Sequence, residues 1–274
     1  MLEKALNFKP DIFIPDMEDS VPTDEKKNAR NLIAKYLPKL AKSGVPIIPR
    51  VNSLDTEWAV DDMTAVVGPY IYGISIGKIN SPADIKRVSE HLSILERKAG
   101  LNEGHIKMIP WLESAKAIIH CYEICLASER LVGVAFGGED FTHDMGIERL
   151  EDESEVSFAR NQLCIAARAA EIPALDTPYF LFKNENGLRT NSLIAKQCGF
   201  KGKFAIHPAQ IDGINDAFSP SKEEIKHASR VVKVFEEAER VGRGSTSLDG
   251  KVIDVPVVKR ARALLDLASR QLKL

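Results

Sequence analysis

The feature that most limits how this chain can fold is a repeated alternation of short apolar runs with longer segments of helical character. Seven apolar runs recur roughly every 25–40 residues, and the segments between them have the periodicity of amphipathic helices. We predict strands at residues 11–17, 45–51, 70–76, 106–112, 130–136, 173–176 and 202–206. Strands that alternate with helices indicate a parallel sheet, because parallel neighbours need a crossover that a helix usually supplies.

Charged side chains follow most of these runs, and this placement favours a (β/α)₈ barrel, which keeps its catalytic groups after the carboxyl ends of the strands. Seven strand–helix units are one fewer than a complete barrel contains, and residues 2–6 resemble the remainder of a first helix. We therefore expect an α/β fold, a TIM-type barrel over residues 1–243 that lacks its first strand. Residues 244–274 are expected to form a separate C-terminal segment, turn-rich at 244–250 and helical from Pro256 onwards.

The composition argues against several classes of protein. Lys and Arg number 37 and Asp and Glu number 39, so the net charge of -2 gives no electrostatic basis for binding nucleic acid or an anionic membrane. No apolar run has the length of a membrane span, and the N-terminus lacks the apolar core of a signal peptide. The four cysteines lack metal-ligand spacing, and Cys121 and Cys125 are expected to be buried thiols. We therefore expect a reducing compartment, most simply the cytoplasm.

Two carboxylates that follow neighbouring predicted strands indicate a metal site. Glu113 comes directly after the run at 106–112, and Asp140 follows the run at 130–136 after two glycines. If these strands are neighbours, the two side chains lie side by side at one rim of the barrel. Hard carboxylate oxygens suit Mg²⁺, which takes one or two carboxylates and leaves other positions to water and substrate. The alternative is a pair of helix N-caps or exposed loop acids.

Other charged residues at the strand ends have both a functional and a structural interpretation. Arg50 can stabilise an oxyanion or grip a carboxylate, or it can form a structural salt bridge. Glu18 and Asp19 can orient metal-bound water or tune Arg50, or they can begin a helix. Lys78 can form a Schiff base or a rim ion pair. The same rim is expected to carry Glu139, Asp176 and His207.

Several stretches of the chain together match a known family. They are Asp16–Pro22, Lys26–Arg30, Pro49–Asn52, Leu112–Ser114, Gly137–Asp140, Gly199–Gln210, Asn215–Pro220 and Leu248–Pro256. On these residues the chain resembles the citrate lyase β-subunit-like proteins of the HpcH/HpaI aldolase superfamily, especially stand-alone malyl-CoA and citramalyl-CoA lyases. The resemblance extends over nearly the whole chain.

The resemblance implies roles for particular residues. Glu113 and Asp140 would hold Mg²⁺, and Arg50 would grip the reacting carbonyl. Glu18 and Asp19 would support the metal waters. Lys26 and Arg30 would belong to the CoA-binding surface. The resemblance also implies a homotrimer or homohexamer.

The resemblance places Asp254 on a C-terminal lid that reaches the active site of a neighbouring subunit. There it would exchange a proton with the α-carbon of the acyl-CoA. Read locally, Asp254 is equally a helix N-cap, because Pro256 follows it in the first turn.

Two stretches depart from the family pattern. The opening strand of the family is absent, which leaves part of the barrel wall missing. The family's PKxE stretch is here Gly77–Asn80, which alters the local wall of the pocket.

The expected function is a Mg²⁺-dependent carbon–carbon lyase that cleaves a β-hydroxy acyl-CoA to an acyl-CoA and a 2-oxo acid. One alternative is a citrate lyase β subunit that acts on citryl-acyl-carrier protein, although such subunits are expected to lack an elaborated C-terminal tail. The other alternative is a non-catalytic CoA-binding relative.

Overall fold

The computed structural model of the chain describes residues 2–150 and 152–271, without the side chains of residues 270 and 271. The described residues do not include residues 1, 151 and 272–274. The first residue of the expected barrel domain and the last residues of the expected C-terminal domain are therefore not described. The chain divides into two compact units between Ile211 and Asp212.

The first unit is built on a six-stranded parallel sheet whose strands follow one another in chain order. Its strands are β1 Arg50–Val51, β2 Gly73–Ile76, β3 Lys107–Leu112, β4 Val134–Phe136, β5 Ala174–Asp176 and β6 Gly202–Lys203. Each of these strands lies within a predicted apolar run, so the predicted parallel α/β architecture is confirmed.

The first predicted strand, residues 11–17, is present only as two isolated parallel bridges, from Phe13 to Ile47 and from Asp16 to Arg50. Backbone bonds still join the segments, since Met17 N–H donates to Arg50 O at 2.9 Å and Ile48 N–H donates to Phe13 O at 2.8 Å. The pairing is fragmentary because three prolines in these two runs have no N–H to donate, namely Pro15, Pro46 and Pro49.

The barrel is not closed. Among the described residues, no strand pairs with the free edge of β6 or with the outer edge of residues 13–16. Ile12 and Phe204, which lie beside these two edges, nevertheless pack against one buried cluster of Ile48, Ile109, Trp111 and Ala135. The sheet is therefore curved around a shared core, although its edges do not meet.

Helices connect the strands of the first unit. They are α1 Leu2–Ala5, α2 Lys26–Ala41, α3 Ala59–Val66, α4 Pro82–Lys98, α5 Ala115–Ile119, α6 Cys121–Cys125, α7 Gly138–Met145, α8 Ser157–Ala169 and α9 Glu185–Cys198. Short 3₁₀ turns occur at Thr23–Glu25, Ser154–Val156 and Pro208–Gln210. Cys121 and Cys125 are buried free thiols, as predicted.

Two short helices, α5 and α7, position the site, and their termini follow from local sequence. Ser114 caps α5, because its side chain accepts the Ala117 N–H. Gly146 ends α7 in the left-handed region with φ 65°, which glycine adopts without steric cost.

The second unit begins within α10 Ile211–Phe218. It also contains α11 Lys222–Arg240, the antiparallel hairpin of β7 Thr246–Leu248 and β8 Lys251–Ile253, and α12 Val255–Gln271. Its core is the cluster Ala228, Val231, Phe235, Ile253, Val258 and Ala261. A functional lid within residues 244–274 stays a prediction.

A search of the described helices finds none with both the length and the apolar character that crossing a membrane requires.

Candidate active site

The strand ends of β1, β2, β3 and β4 bring the predicted catalytic and metal-binding side chains of the first unit together. Arg50 Nη1 lies 3.0 Å from Glu18 Oε2, and Lys78 Nζ lies 3.2 Å from Glu18 Oε1. The Lys78 backbone N–H donates to Glu113 Oε2 at 2.7 Å. Asp140 is close enough that its charge raises the pKa values of both Glu113 and Lys78.

Glu113 is the most unusual of these groups. It is a buried carboxylate, and no cation among the described residues forms an ion pair with it. Burial, and then the charge of Asp140, raises the pKa of Glu113 to about 8. The bond from the Lys78 N–H opposes this shift but does not cancel it. Among the described residues, no Lys or Arg nitrogen forms an ion pair with this carboxylate.

Two glycines make room for the Glu113 carboxylate. A Cβ at Gly137 would lie 2.3 Å from Glu113 Oε1, and a Cβ at Gly77 would lie 3.0 Å from Glu113 Oε2. The glycine after β4 is therefore required by close approach, and the glycine after β2 leaves little space for any side chain.

Asp140 is the third residue of α7, where the helix dipole favours a negative charge. Its neighbour Glu139 is exposed and instead pairs with Arg149, whose Nε lies 3.2 Å from Glu139 Oε1. The structure therefore separates two adjacent acids: Asp140 acts electrostatically on Glu113, and Glu139 is held by a loop arginine.

Arg50 is held in a defined orientation. Its Nε and Nη2 donate to Asp16 Oδ1 and Oδ2 at 2.7 and 2.6 Å, which is a bidentate pair, and Nη1 faces Glu18. The guanidinium also lies 5.6 Å from the ring centroid of Trp111, whose Nε1–H donates to Ser75 Oγ at 2.7 Å. The structural salt bridge of Arg50 is therefore present, and its catalytic role stays a prediction.

Burial alone would lower the pKa of Arg50, but the hydrogen bond to Asp16 and the charges of Asp16, Glu18 and Asp19 raise it. Arg50 is thus a permanent cation. Asp19 is the most exposed acid of this group, with its Oδ2 3.7 Å from Arg50 Nη1.

Lys78 forms the rim ion pair rather than presenting a free amine. Its Nζ lies 3.2 Å from Glu18 Oε1 and 3.5 Å from Asp19 Oδ1. Although burial alone would lower the pKa of Lys78, these charges raise it, so the amine stays protonated and is a poor nucleophile. Its backbone has φ 58°, which is uncommon for a residue with a side chain and directs its N–H towards Glu113.

Lys26 and Arg30 are engaged in internal contacts. The buried Lys26 Nζ donates to the carbonyls of Met17 and Glu18 at 3.1 and 2.8 Å. Arg30 Nε donates to Asp62 Oδ1 at 2.7 Å. Lys26 therefore buttresses the turn that carries Glu18, whereas Arg30 ties α2 to α3, and the CoA-binding role of both residues stays a prediction.

A cavity of about 360 Å³ lies beside this turn and has both apolar and polar walls. It is lined by Glu18, Asp19, Val21, Pro22, Thr23, Lys26, Asn52, Ser53, Thr56, Trp58 and Lys78. The cavity offers space for part of a substrate next to the ion pairs of Arg50 and Lys78.

The structure gives Asp176 and His207 structural surroundings. Asp176 is fully buried and pairs with Arg160 and Lys203, with Arg160 nitrogens at 3.0 and 2.8 Å. His207 caps a 3₁₀ turn through Nδ1, which accepts the Ala209 N–H at 3.2 Å, and its ring lies against Phe182.

Asp254 lies in the second unit and forms the predicted helix cap. Its Oδ1 accepts the Val257 N–H at 3.2 Å at the start of α12. The cap interpretation is therefore confirmed, and the catalytic role stays a prediction that is compatible with it.

Sequence reasoning did not select Asp16. The residue lies inside the apolar run at 11–17 rather than after it, so a search for charges that follow strands passes over it. The available signal was an acid that interrupts an apolar run in parallel register with Arg50.

The carboxylates of Glu113 and Asp140 fit a hard divalent cation. They supply two oxygen-donor side chains at one rim, and the raised pKa of Glu113 shows that a positive charge would stabilise its ionised form. Within the part of the chain that the structure describes, no group of three or more His, Cys, Asp or Glu side chains forms a complete metal cage. The pair therefore suits an ion that completes its coordination with water and substrate.

Comparison with known proteins assigns this site to a family. The family model HpcH/HpaI aldolase/citrate lyase matches residues 1–208. The chain belongs to this family. It is 36% identical to the citrate lyase subunit beta of Haemophilus influenzae, an alignment that covers 98% of this chain and 92% of the relative.

Two other relatives carry different activities in their names. The chain is 36% identical to a (3S)-malyl-CoA thioesterase of Cereibacter sphaeroides, over 96% of this chain and 88% of the relative. It is 30% identical to the mitochondrial citramalyl-CoA lyase of Rattus norvegicus, over 98% of this chain and 82% of the relative. The citrate lyase subunit and the citramalyl-CoA lyase are both lyases, so the predicted enzyme class, a lyase, is confirmed.

A solved relative adds the fold. The chain is similar to the protein CitE of Mycobacterium tuberculosis, solved in complex with magnesium, acetoacetate and coenzyme A. The TM-score is 0.77 at 26% identity, and the match covers 94% of this chain and 90% of that one. The predicted TIM-type α/β fold is confirmed, with the barrel unclosed among the described residues.

Proposed function

We propose that this chain is a Mg²⁺-dependent carbon–carbon lyase that cleaves a β-hydroxy acyl-CoA of the malyl-CoA or citramalyl-CoA type. The products would be an acyl-CoA and a 2-oxo acid. The observation that carries the proposal is the buried Glu113 carboxylate, with its pKa raised to about 8, beside Asp140 and within the field of Arg50.

Glu113 and Asp140 would hold Mg²⁺, which would supply Lewis acidity towards the malyl-like end of the substrate. Support for this cation comes from the donor set and from the relative that was solved with magnesium. Glu18 and Asp19 would orient water around the cation through their carboxylates.

Arg50 would stabilise the charge that develops on oxygen. In the retro-aldol step the hydroxyl passes its proton to a water molecule oriented by Glu18 and Asp19, the bond between the hydroxyl carbon and the α-carbon breaks, and a carbonyl forms on the 2-oxo acid. The electron pair passes to the α-carbon of the acyl-CoA as an enolate. Because the bidentate pair with Asp16 fixes the guanidinium, its donors need no reorganisation during this step.

Asp254 would then deliver a proton to the α-carbon of the enolate. Its hydrogen bond to the Val257 N–H would fix the orientation of the carboxyl group. Lys26 and Arg30 would contribute to the CoA-binding surface, Lys26 by supporting the turn beside the cavity and Arg30 from its ion pair with Asp62.

The second candidate is a citrate lyase β subunit that acts on citryl-acyl-carrier protein. It is favoured by relatives of that name at 36% and 37% identity. The expected difference in the C-terminal tail does not separate the candidates, because these relatives align over 98% of this chain.

The experiment offers malyl-CoA, citramalyl-CoA and citryl-acyl-carrier protein in parallel to the purified protein with Mg²⁺. Release of a 2-oxo acid from a CoA thioester, abolished by EDTA and by Glu113→Gln, supports the proposal. Cleavage of the carrier-protein substrate alone favours the second candidate. No cleavage of any substrate by a folded protein favours the non-catalytic alternative and contradicts both lyase assignments.

We also propose a homotrimer or homohexamer in the cytoplasm. The oligomer is supported by apolar side chains that α5, α6 and α8 leave exposed, including Phe158 at 74% and Ile165 at 72% exposure. Light scattering on the purified protein measures the oligomeric state directly.

A further inference from the structure

Three consecutive residues after β3 each form a hydrogen bond with a different residue of the rim. The Glu113 carboxylate accepts the Lys78 N–H at 2.7 Å, and Ser114 Oγ donates to the side-chain oxygen of Asn80. The Ala115 N–H donates to Asp144 Oδ2 at 2.8 Å. The segment that carries Glu113 is therefore tied both to the end of β2 and to helix α7.

The bond to Asp144 has a clear local cause. Ala115 is the first residue of α5, and the first N–H groups of a helix have no partner within the helix. The Ser114 side chain accepts the Ala117 N–H at 3.1 Å and does not accept the Ala115 N–H. Asp144 thus satisfies a donor that the cap of α5 does not reach.

Asp144 is also placed to act on Asp140. The two residues lie four positions apart in α7, so they share one face of the helix. The hydrogen bond from the Ala115 N–H to Asp144 therefore links the segment that carries Glu113 to the helix that carries Asp140.

Other contacts at the start of α7 reach different elements. The Gly138 N–H donates to Thr177 Oγ1 at 3.2 Å, and Glu139 pairs with Arg149. The Gly137 N–H donates to Leu112 O at 3.2 Å, which continues the pairing of β3 with β4. These contacts fix where α7 begins. The hydrogen bond that Asp144 accepts from the Ala115 N–H lies one turn further along and limits the rotation of α7 relative to residues 113–115.

We propose that Asp144 is a positioning residue that holds Asp140 and Glu113 at the separation a shared divalent cation requires. It does so as a hydrogen-bond acceptor for the Ala115 N–H and does not itself contact the cation. The inference rests on the proposed function, because it presupposes that Glu113 and Asp140 form the cation pair.

The test measures Mn²⁺ affinity of the metal-free protein by calorimetry, without substrate. Asp144→Ala removes the acceptor, whereas Asp144→Asn removes the charge but keeps an oxygen that accepts the same N–H. We expect Asp144→Ala to weaken Mn²⁺ binding by roughly 10-fold or more, which is the usual scale for residues that orient metal ligands, and Asp144→Asn to change it by less than about 3-fold. Because Asp144 is exposed, the melting temperature in EDTA should change little.

A reciprocal variant removes the donor instead of the acceptor. Ala115→Pro deletes the N–H at the first helical position, where proline is well tolerated, and Ser114 before it already has an extended backbone. It should weaken Mn²⁺ binding to the same extent as Asp144→Ala, and the double variant should bind no more weakly than either single variant. His143→Ala, an exposed change on the same helix, is the matched control and should bind Mn²⁺ normally.

The outcomes separate this inference from the proposal beneath it. If wild type binds Mn²⁺ and Glu113→Gln does not, but Asp144→Ala binds as wild type does, the positioning role is wrong and the cation pair stands. If Asp144→Asn weakens binding as much as Asp144→Ala does, the effect is one of charge and the positioning role is again wrong. If wild type fails to bind, or Glu113→Gln binds equally well, the cation pair itself is wrong and the inference falls with it.

Discussion

Two buried carboxylates at the ends of strands in one sheet have opposite surroundings. Asp176, at the end of β5, is surrounded by cations: Arg160 binds it through two nitrogens, and Lys203 Nζ lies at 2.5 Å. Glu113, just after β3, receives a backbone N–H and faces a second acid, Asp140. The comparison shows that a buried acid whose charge the protein compensates is structural, whereas one left without a paired cation marks the place where a cation or a reacting group is expected.

The largest effect should come from exchanging each acid for its amide. Glu113→Gln should abolish turnover, by about 10³-fold or more, because an amide does not bind the cation as a carboxylate does. It should leave the protein folded, because the raised pKa of Glu113 keeps this carboxyl protonated at neutral pH in the metal-free protein. Asp176→Asn should instead destabilise the protein by about 3–5 kcal/mol, because it removes the counter-charge of the buried Lys203 and leaves Arg160 paired with Glu153 alone.

Turnover assays and urea denaturation of the two variants measure this contrast. A Glu113→Gln protein that loses stability and keeps its activity would reverse the assignment of the two acids.

Asp254 extends the comparison to the second unit. Like Glu113, it accepts a backbone N–H, and among the described residues no cation forms an ion pair with it. We expect Asp254→Asn to lower kcat by roughly 10²–10⁴-fold at constant stability, because Asn caps a helix as well as Asp but cannot transfer the proton.

Subunit exchange tests whether Asp254 acts in a neighbouring chain. Mixing Asp254→Asn with Asp140→Asn protein should then restore part of the activity, and failure after verified exchange would confine Asp254 to its own chain. Wild-type kcat in Asp254→Asn would leave it with the capping role alone.

Arg50 tests whether an ion-paired residue can still be catalytic. Its bidentate pair with Asp16 resembles the compensated surroundings of Asp176. Its remaining nitrogen, Nη1, pairs with Glu18 at the proposed site. Arg50→Lys should lower kcat by about 10²-fold, because an ammonium cannot maintain both the bidentate pair and an oxyanion contact. A variant that melts at lower temperature but turns over normally would place Arg50 with Asp176 as a structural residue.

The smallest expected effect is a pH dependence of stability that Glu113 contributes in metal-free protein. Its pKa in the folded state is raised from 4.5 to about 8, so between these values the folded state holds a proton that the unfolded state has released. The contribution of Glu113 to stability is therefore complete below the unfolded pKa and is lost as pH rises towards 8, by roughly 1 kcal/mol per pH unit.

The melting temperature of wild type in EDTA, measured from pH 5 to about pH 8, should therefore fall relative to that of Glu113→Gln as pH rises. Parallel curves would show that Glu113 is ionised throughout this range.

The sequence by itself determined the alternation of strands and helices, because apolar runs of strand length separated by amphipathic segments have few other solutions. It also located Glu113 and Asp140, since acids that directly follow buried strands meet at one rim of a parallel sheet. It also predicted an incomplete barrel, and within the part of the chain that the structure describes the barrel is not closed.

Only the tertiary structure decided which of the two buried acids, Glu113 or Asp176, has its charge compensated by cations. Glu113 and Asp176 look alike in sequence, each an acid at the end of an apolar run, and the difference comes from Arg160 and Lys203, which α8 and β6 bring to Asp176 and not to Glu113. The contacts of Asp16 with Arg50 and of Asp144 with Ala115 likewise join residues 34 and 29 positions apart. Charge compensation is a property of distances in the folded chain, and strand-and-helix patterns do not encode those distances.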